Sequence, residues 1–92
     1  MATSLQRWII EAEIMPKQGV NDPQGDSVLS GLKLLGFSGT ERVRVGKLIR
    51  FDLRAASQDD ARNTAREMCE RLLANPVIEE FELAVHAAGE EG

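Results

Sequence analysis

The sequence predicts an α+β fold, a small antiparallel sheet with two helices on one face, and three observations predict it. Apolar residues recur with period two around residues 8 to 15, 43 to 53 and 81 to 85. Between these runs lie two stretches with helical spacing, each opened by a capping residue and closed by a breaker. The whole chain has only 92 residues, 42% of them hydrophobic, which fits one compact domain with little room for a deep catalytic cleft. The reading is one domain spanning 1–92, with a core over 8–86 and a short polar tail at 87–92.

In the first strand Trp8, Ile10, Ala12 and Ile14 point one way while Glu11 and Glu13 point the other. PKQGVNDPQG follows as a loop, and Asp22 is the expected N-cap of a helix with Pro23 at its first position. Val28, Leu32 and Leu35, with Leu29 beside them, form the face this helix is expected to bury. The helix runs from about 23 to 35. Gly36 suits the left-handed residue after its end, with Phe37 folding back on Leu32 as in a Schellman motif.

Over 43–53 the apolar parity of Val43, Val45, Ile49, Phe51 and Leu53 never changes, and Arg42, Arg44, Arg50, Asp52 and Arg54 fill the other parity. A two-residue hairpin at Gly46-Lys47 conflicts with that parity. A three-residue loop through Gly46, Lys47 and Leu48 preserves it and is the favoured reading. It gives βαββαβ, the ferredoxin-like arrangement. The alternative is one long strand bent at Gly46, which carries the second half of the chain away from the first and invites a swapped dimer.

The second helix opens with Ser57 as N-cap and Asp60 three residues on. Its expected buried stripe is Ala61, Ala65, Met68 and Leu72, joined by Cys69, with Glu67 and Arg71 paired on the wet side. Asn75-Pro76 ends it, and Phe81, Leu83 and Val85 alternate with Glu80, Glu82 and His86 in the last strand.

Composition excludes several functions. With 11 basic against 15 acidic residues, no Tyr and four aromatics, the chain has neither the basic surface nor the stacking platform of a nucleic-acid binder. No apolar run approaches a membrane span, and MATSLQRWII is not a secretory signal, so a cytosolic protein is expected. Cys69 is the only cysteine and sits among core residues, which reads as an inert buried thiol. His86, near the chain end on a polar parity, reads as a solvated histidine with no nucleophile beside it. Asp59-Asp60 and Glu79-Glu80 read as cap and solvated charge rather than an acid/base pair. The Arg stripe of the middle strands has an anion-binding reading, set against neutralisation across the sheet by Glu11, Glu13, Glu80 and Glu82. No P-loop is present.

The connections carry more specific residues than a loop requires: Asp22, Pro23, Gln24 and Gly25; Arg44, Gly46 and Lys47; Asn75, Pro76, Ile78 and Glu79. DPQG opening the first helix, LLGF closing it, VRVGK before the middle strand and MCERLLANPVIEEFEL closing the second helix together resemble PurS, the small subunit of bacterial and archaeal phosphoribosylformylglycinamidine synthase. The resemblance runs from about Trp8 to Val85. Departures are a slightly longer N-terminus, Asn21 where the family often has an apolar residue, and the AGEEG tail.

The resemblance implies a homodimer or homotetramer without catalytic residues or bound cofactors of its own. It implies two partners, an ATP-dependent synthetase large subunit and a glutaminase subunit, and a complex that uses ATP, Mg and glutamine. The connection residues named above then become candidates for partner interfaces, with LANPVIEEF both a helix stop and a presented surface. Two other readings share the fold. An ACT-like regulatory module binds an amino acid at a dimer interface, and residues 17 to 25 are open to reading as its ligand loop. An acylphosphatase needs an anion-cradling loop with a committed Arg, and residues 16 to 25 hold none.

Overall fold

A computed structural model describes residues 4 to 88. Three strands, β1 (Gln6–Pro16), β2 (Lys47–Ala55) and β3 (Glu79–Ala87), form an antiparallel sheet in the order β2-β1-β3. Two helices intervene, α1 (Pro23–Leu34) and α2 (Gln58–Met68), the latter continuing as a π-helical turn over Cys69–Leu73.

β1 is central because its even residues form the apolar face. Trp8, Ile10, Ala12 and Ile14 are all buried, and the indole N–H of Trp8 is satisfied by the Ala55 carbonyl at 3.2 Å. α2 lies on this face through Ala61, Ala65 and Cys69, whose small side chains let helix and sheet approach closely. Ser57 caps α2 by accepting from the Asp60 N–H at 3.1 Å, and Glu67 pairs with Arg71 at 2.8 Å.

The buried stripe of α2 differs from the expected one. It runs Ala61, Ala65, Cys69 and then half-buried Leu73, while Leu72 is 82% exposed. The π turn is the reason: Ala74 N–H bonds the Cys69 carbonyl, one residue further back than in an α-helix, and the wider turn rotates Leu72 outward.

The antiparallel α+β class and the order of the elements hold, but the middle of the chain is arranged differently from the favoured reading. Residues 43 to 45 do not turn back on residues 49 to 51 as a hairpin. Gly46 passes against the Ile14 carbonyl and the Met15 sulfur, where a Cβ has no room, and the chain runs on through Gly46 into β2 without a turn. This is the second of the two readings, with only Lys47–Ala55 paired in the sheet.

A second difference follows. α1 is not laid on the sheet beside α2 but projects from it, and its apolar face is uncovered: Val28 is 45% exposed and Leu35 75%. The local signals that form α1 are all present. Asp22 caps it, and Gly36 at φ 99° lets Gly36 and Phe37 donate to the carbonyls of Lys33 and Leu32, the Schellman pair. What the chain lacks is a surface of its own for that face.

The molecule is accordingly elongated, 62 × 33 × 15 Å with a radius of gyration of 17.5 Å. A compact chain of this length has a radius near 12 Å, that is ~2.2·N^0.38. At the other end, β3 continues through Ala87, and Ala88 is buried and donates to the Arg7 carbonyl, so the polar tail expected from residue 87 does not begin there. The rest of that tail, 89–92, lies outside the described residues.

Candidate functional site

Because β1 runs antiparallel to both neighbours, its C-terminal end coincides with the start of β2 and of β3: Ile14 lies opposite Lys47, and Pro16 opposite Glu79. The three connections singled out in the sequence therefore meet at one end of the sheet.

Asp22 ties the first two together. One carboxylate oxygen accepts from the Gly25 N–H at 2.9 Å, capping α1, and the other accepts from the Val45 N–H at 2.9 Å, holding the extended arm. These backbone bonds, first from Gly25 and then from Val45, hold the Asp22 carboxyl below its usual range, and the charge of Arg44 adds to them. Gly25 is required by packing, since a Cβ there meets the Val43 carbonyl and the Asp22 carboxylate. Pro23 and Gln24 are exposed on the first turn, and Arg44 and Lys47 point to solvent. Arg42, just before them, has φ 54°, a left-handed backbone that costs a non-glycine residue about 1–2 kcal/mol.

The third connection is a closed turn. Asn75 Oδ1 accepts from the Val77 N–H at 3.1 Å, Glu79 Oε1 accepts from the Asn75 N–H at 2.7 Å, and the Ile78 and Glu79 N–H groups both donate to the Asn75 carbonyl. Glu79 stands on the apolar parity of β3, and its carboxylate is occupied by this internal bond. The polar groups thus shape the turn, and what it shows to solvent is apolar: Val77 is 78% exposed and Ile78 41%.

Lys17 joins the third connection to the first. Its Nζ donates to the Pro76 carbonyl at 2.7 Å and its backbone N–H to the Ile78 carbonyl at 2.8 Å, while its own carbonyl closes the turn to Val20. Nothing in the sequence marked this residue, because a lysine after a strand-ending proline is ordinary surface composition. A cleft opens between the turn at Lys17–Val20 and Arg42–Arg44, with Asp22 and Asp26 on its walls.

No catalytic pairing is assembled around the titratable groups singled out in the sequence. Cys69 is fully buried, and desolvation followed by the charge of Glu70 pushes its thiol up, away from a reactive thiolate. His86 is exposed, with Nε2 3.8 Å from Glu11. The sheet face opposite α2 partly neutralises itself: Arg50 pairs with Glu11 at 2.6 Å and Arg7 with Asp52 at 3.9 Å, whereas Glu13 and Glu82 lie directly opposite each other.

These features define a class: a small α+β chain whose loops gather at one end of an open sheet, with an apolar helix and arm standing free of it. Comparison with known proteins supplies the family. Residues 9–87 match the PurS model, described as phosphoribosylformylglycinamidine (FGAM) synthase, and the chain belongs to that family. It is 43% identical over 75 residues to the PurS subunit of Archaeoglobus fulgidus, covering 82% of this chain and 94% of that one. The crystal structure of the Thermotoga maritima purS subunit superposes with a TM-score of 0.81 at 27% identity, covering 89% and 94% of the two chains. A chain of the T. maritima PurLQS structure gives 0.78 at 26% identity, covering 86% and 96%. Among the described residues, no helix is long and apolar enough to cross a membrane.

Proposed function

We propose that this chain is the small subunit of phosphoribosylformylglycinamidine synthase and holds together the glutaminase and the ATP-dependent synthetase of that complex in the cytoplasm. The observation that carries this is the family match over residues 9–87, joined by the likeness to a chain of a PurLQS assembly. In this reading the complex converts formylglycinamide ribonucleotide to formylglycinamidine ribonucleotide with glutamine, ATP and Mg, and this chain supplies surface rather than chemistry.

The chain's own geometry supports self-association as part of that role. Its accessible surface is 6731 Å². A compact monomer of 10.1 kDa exposes about 5,300 Å² by the mass scaling of folded monomers. The excess, about 1,400 Å² per chain, is what an obligate dimer interface of about 2,800 Å² in total consumes. Val28, Leu35, Val43 and Val45 make the excess apolar, and a second copy that receives α1 and the arm on its sheet beside α2 covers them. This is the swapped dimer, with a tetramer as a further step.

The loop end of the sheet is the surface offered to the enzyme partners. Pro23, Gln24, Arg44, Gly46 and Lys47 supply its exposed rim, which buried Gly25 and the doubly bonded Asp22 carboxylate hold in place from beneath. Asn75, Pro76 and Glu79 hold Val77 and Ile78 forward as an apolar contact. Pull-down with the glutaminase and synthetase subunits under glutamine and ADP tests the assignment. Co-purification of all three is expected, and failure of this chain to retain either enzyme overturns it.

A further inference from the structure

Edge strands expose unpaired backbone groups that recruit further strands, and this sheet has two edges, β2 and β3. They are treated differently. Gln58 Nε2 donates to the Val85 carbonyl at 3.1 Å and Arg62 Nη1 to the Leu83 carbonyl at 3.3 Å. Leu83 and Val85 are two residues apart, so their carbonyls point to the same side of β3. That side is the outer one, since the alternate set faces β1, as the Ala88 N–H does in bonding Arg7.

The spacing is matched. Gln58 and Arg62 stand one turn apart on α2, a rise of about 6 Å, and the two carbonyls are about 6.6 Å apart along a strand. Both donors come from the wet flank of α2 rather than from its buried stripe of Ala61, Ala65 and Cys69. Among the described residues, no side chain bonds an outward-facing backbone group of β2; the Ala55 carbonyl, which accepts from Trp8, belongs to the residue opposite Gln6 and faces β1.

We propose that Gln58 and Arg62 guard the β3 edge, and that the strand they exclude is β3 of a second copy, arriving antiparallel across a two-fold axis. With β3 blocked and β2 open, strand addition is directed to one edge only. Self-association then closes instead of running from sheet to sheet into open-ended assemblies. The test compares each variant with the wild-type assembly, so it reads the edge whether or not the proposed enzyme partners are correct.

The experiment is sedimentation velocity of the full chain carrying Gln58→Ala and Arg62→Ala together, over a hundredfold concentration range, with site-resolved amide exchange on the species formed. Alanine keeps α2 helical and leaves the core untouched. The double variant is expected to form species at least twice the wild-type mass at high concentration, with the Leu83 and Val85 amides newly protected. Gln58→Ala alone, which frees only the Val85 carbonyl, is expected to do the same more weakly. An unchanged size distribution overturns the proposal, as do larger species whose Leu83 and Val85 amides stay exposed. A double variant that fails to fold, with Gln58→Ala folded and unchanged in size, also overturns it, because the two side chains then anchor α2 rather than guard an edge.

Discussion

Dilution alone should destabilise this protein. Among the described residues, the largest completely buried side chains are Ile10, Ile14 and Cys69, and most of the remaining core is alanine. Leu34, Leu35 and Phe37 are 88%, 75% and 58% exposed in the single chain. A native state that buries them against a second copy has a melting temperature that depends on concentration. For a dimer, a hundredfold dilution removes RT ln 100, about 2.7 kcal/mol. Unfolding entropy is about 2.1 cal/mol/K per residue, so two chains of 92 residues give about 390 cal/mol/K. The quotient is a fall in Tm of about 7 °C for a dimer and, with three association terms in place of one, about 11 °C for a tetramer. Trp8, the only tryptophan, is buried in the core and reports the melt by fluorescence at every concentration. A Tm that stays constant across the dilution series refutes the reasoning, since α1 is then stable with its apolar face in water.

Three further outcomes are expected. The folded-state pKa of Asp22 is depressed, so its contribution to stability is fully present above the unfolded carboxylate value near ~3.9 and is lost as pH falls through the folded value; the Gly25 and Val45 amides should gain exchange rate together below about pH 4, and separate responses refute the shared tie. Lys47→Glu should reduce glutamine-dependent synthase activity about fivefold, the equivalent of an exposed ion pair of about 1 kcal/mol, while ammonia-dependent activity falls less; equal loss of both moves Lys47 to the synthetase contact, and loss of neither leaves it in water. Asn75→Ala with Glu79→Ala removes two turn-closing bonds worth about 1 kcal/mol each, so the fold should persist while affinity for the enzyme partners, measured by titration, drops by up to about thirtyfold; unchanged affinity reduces the motif to a helix stop.

The parts of the fold legible in the sequence are those set by local chemistry. The caps at Asp22 and Ser57, the Gly36 terminator and the period-two face of β1 each depend on a few neighbouring residues, and each stands as read. Where α1 goes was not legible, because its apolar stripe states that the face must be covered but not by which molecule. Gly46 was the decisive residue, and a glycine there fits a hairpin and a close crossing equally well until the Ile14 carbonyl is in place. The π turn was missed for a similar reason: CERLL is an unremarkable α-helical sequence, and the extra residue shows only in how the turn meets the sheet. At the loop end, the chosen residues are brought together, the Asn75 and Glu79 side chains bond within their own turn, and the Lys17 tie joining two loops has no sequence signal.

The extra residue of the π turn divides one helix into two regimes of selection. Up to Cys69 the inward positions answer to the sheet, so the volumes at Ala61 and Ala65 are confined to the smallest side chains. Beyond it the phase has slipped, and Leu72 answers to whatever lies outside the chain. Deleting Arg71 should convert the wide turn into an α-helical one, with Leu73 and Ala74 three and four residues after Cys69 and still facing the sheet. The wide turn thus absorbs one extra residue between two inward-facing stretches, and Leu72 is the side chain it delivers to the outer face.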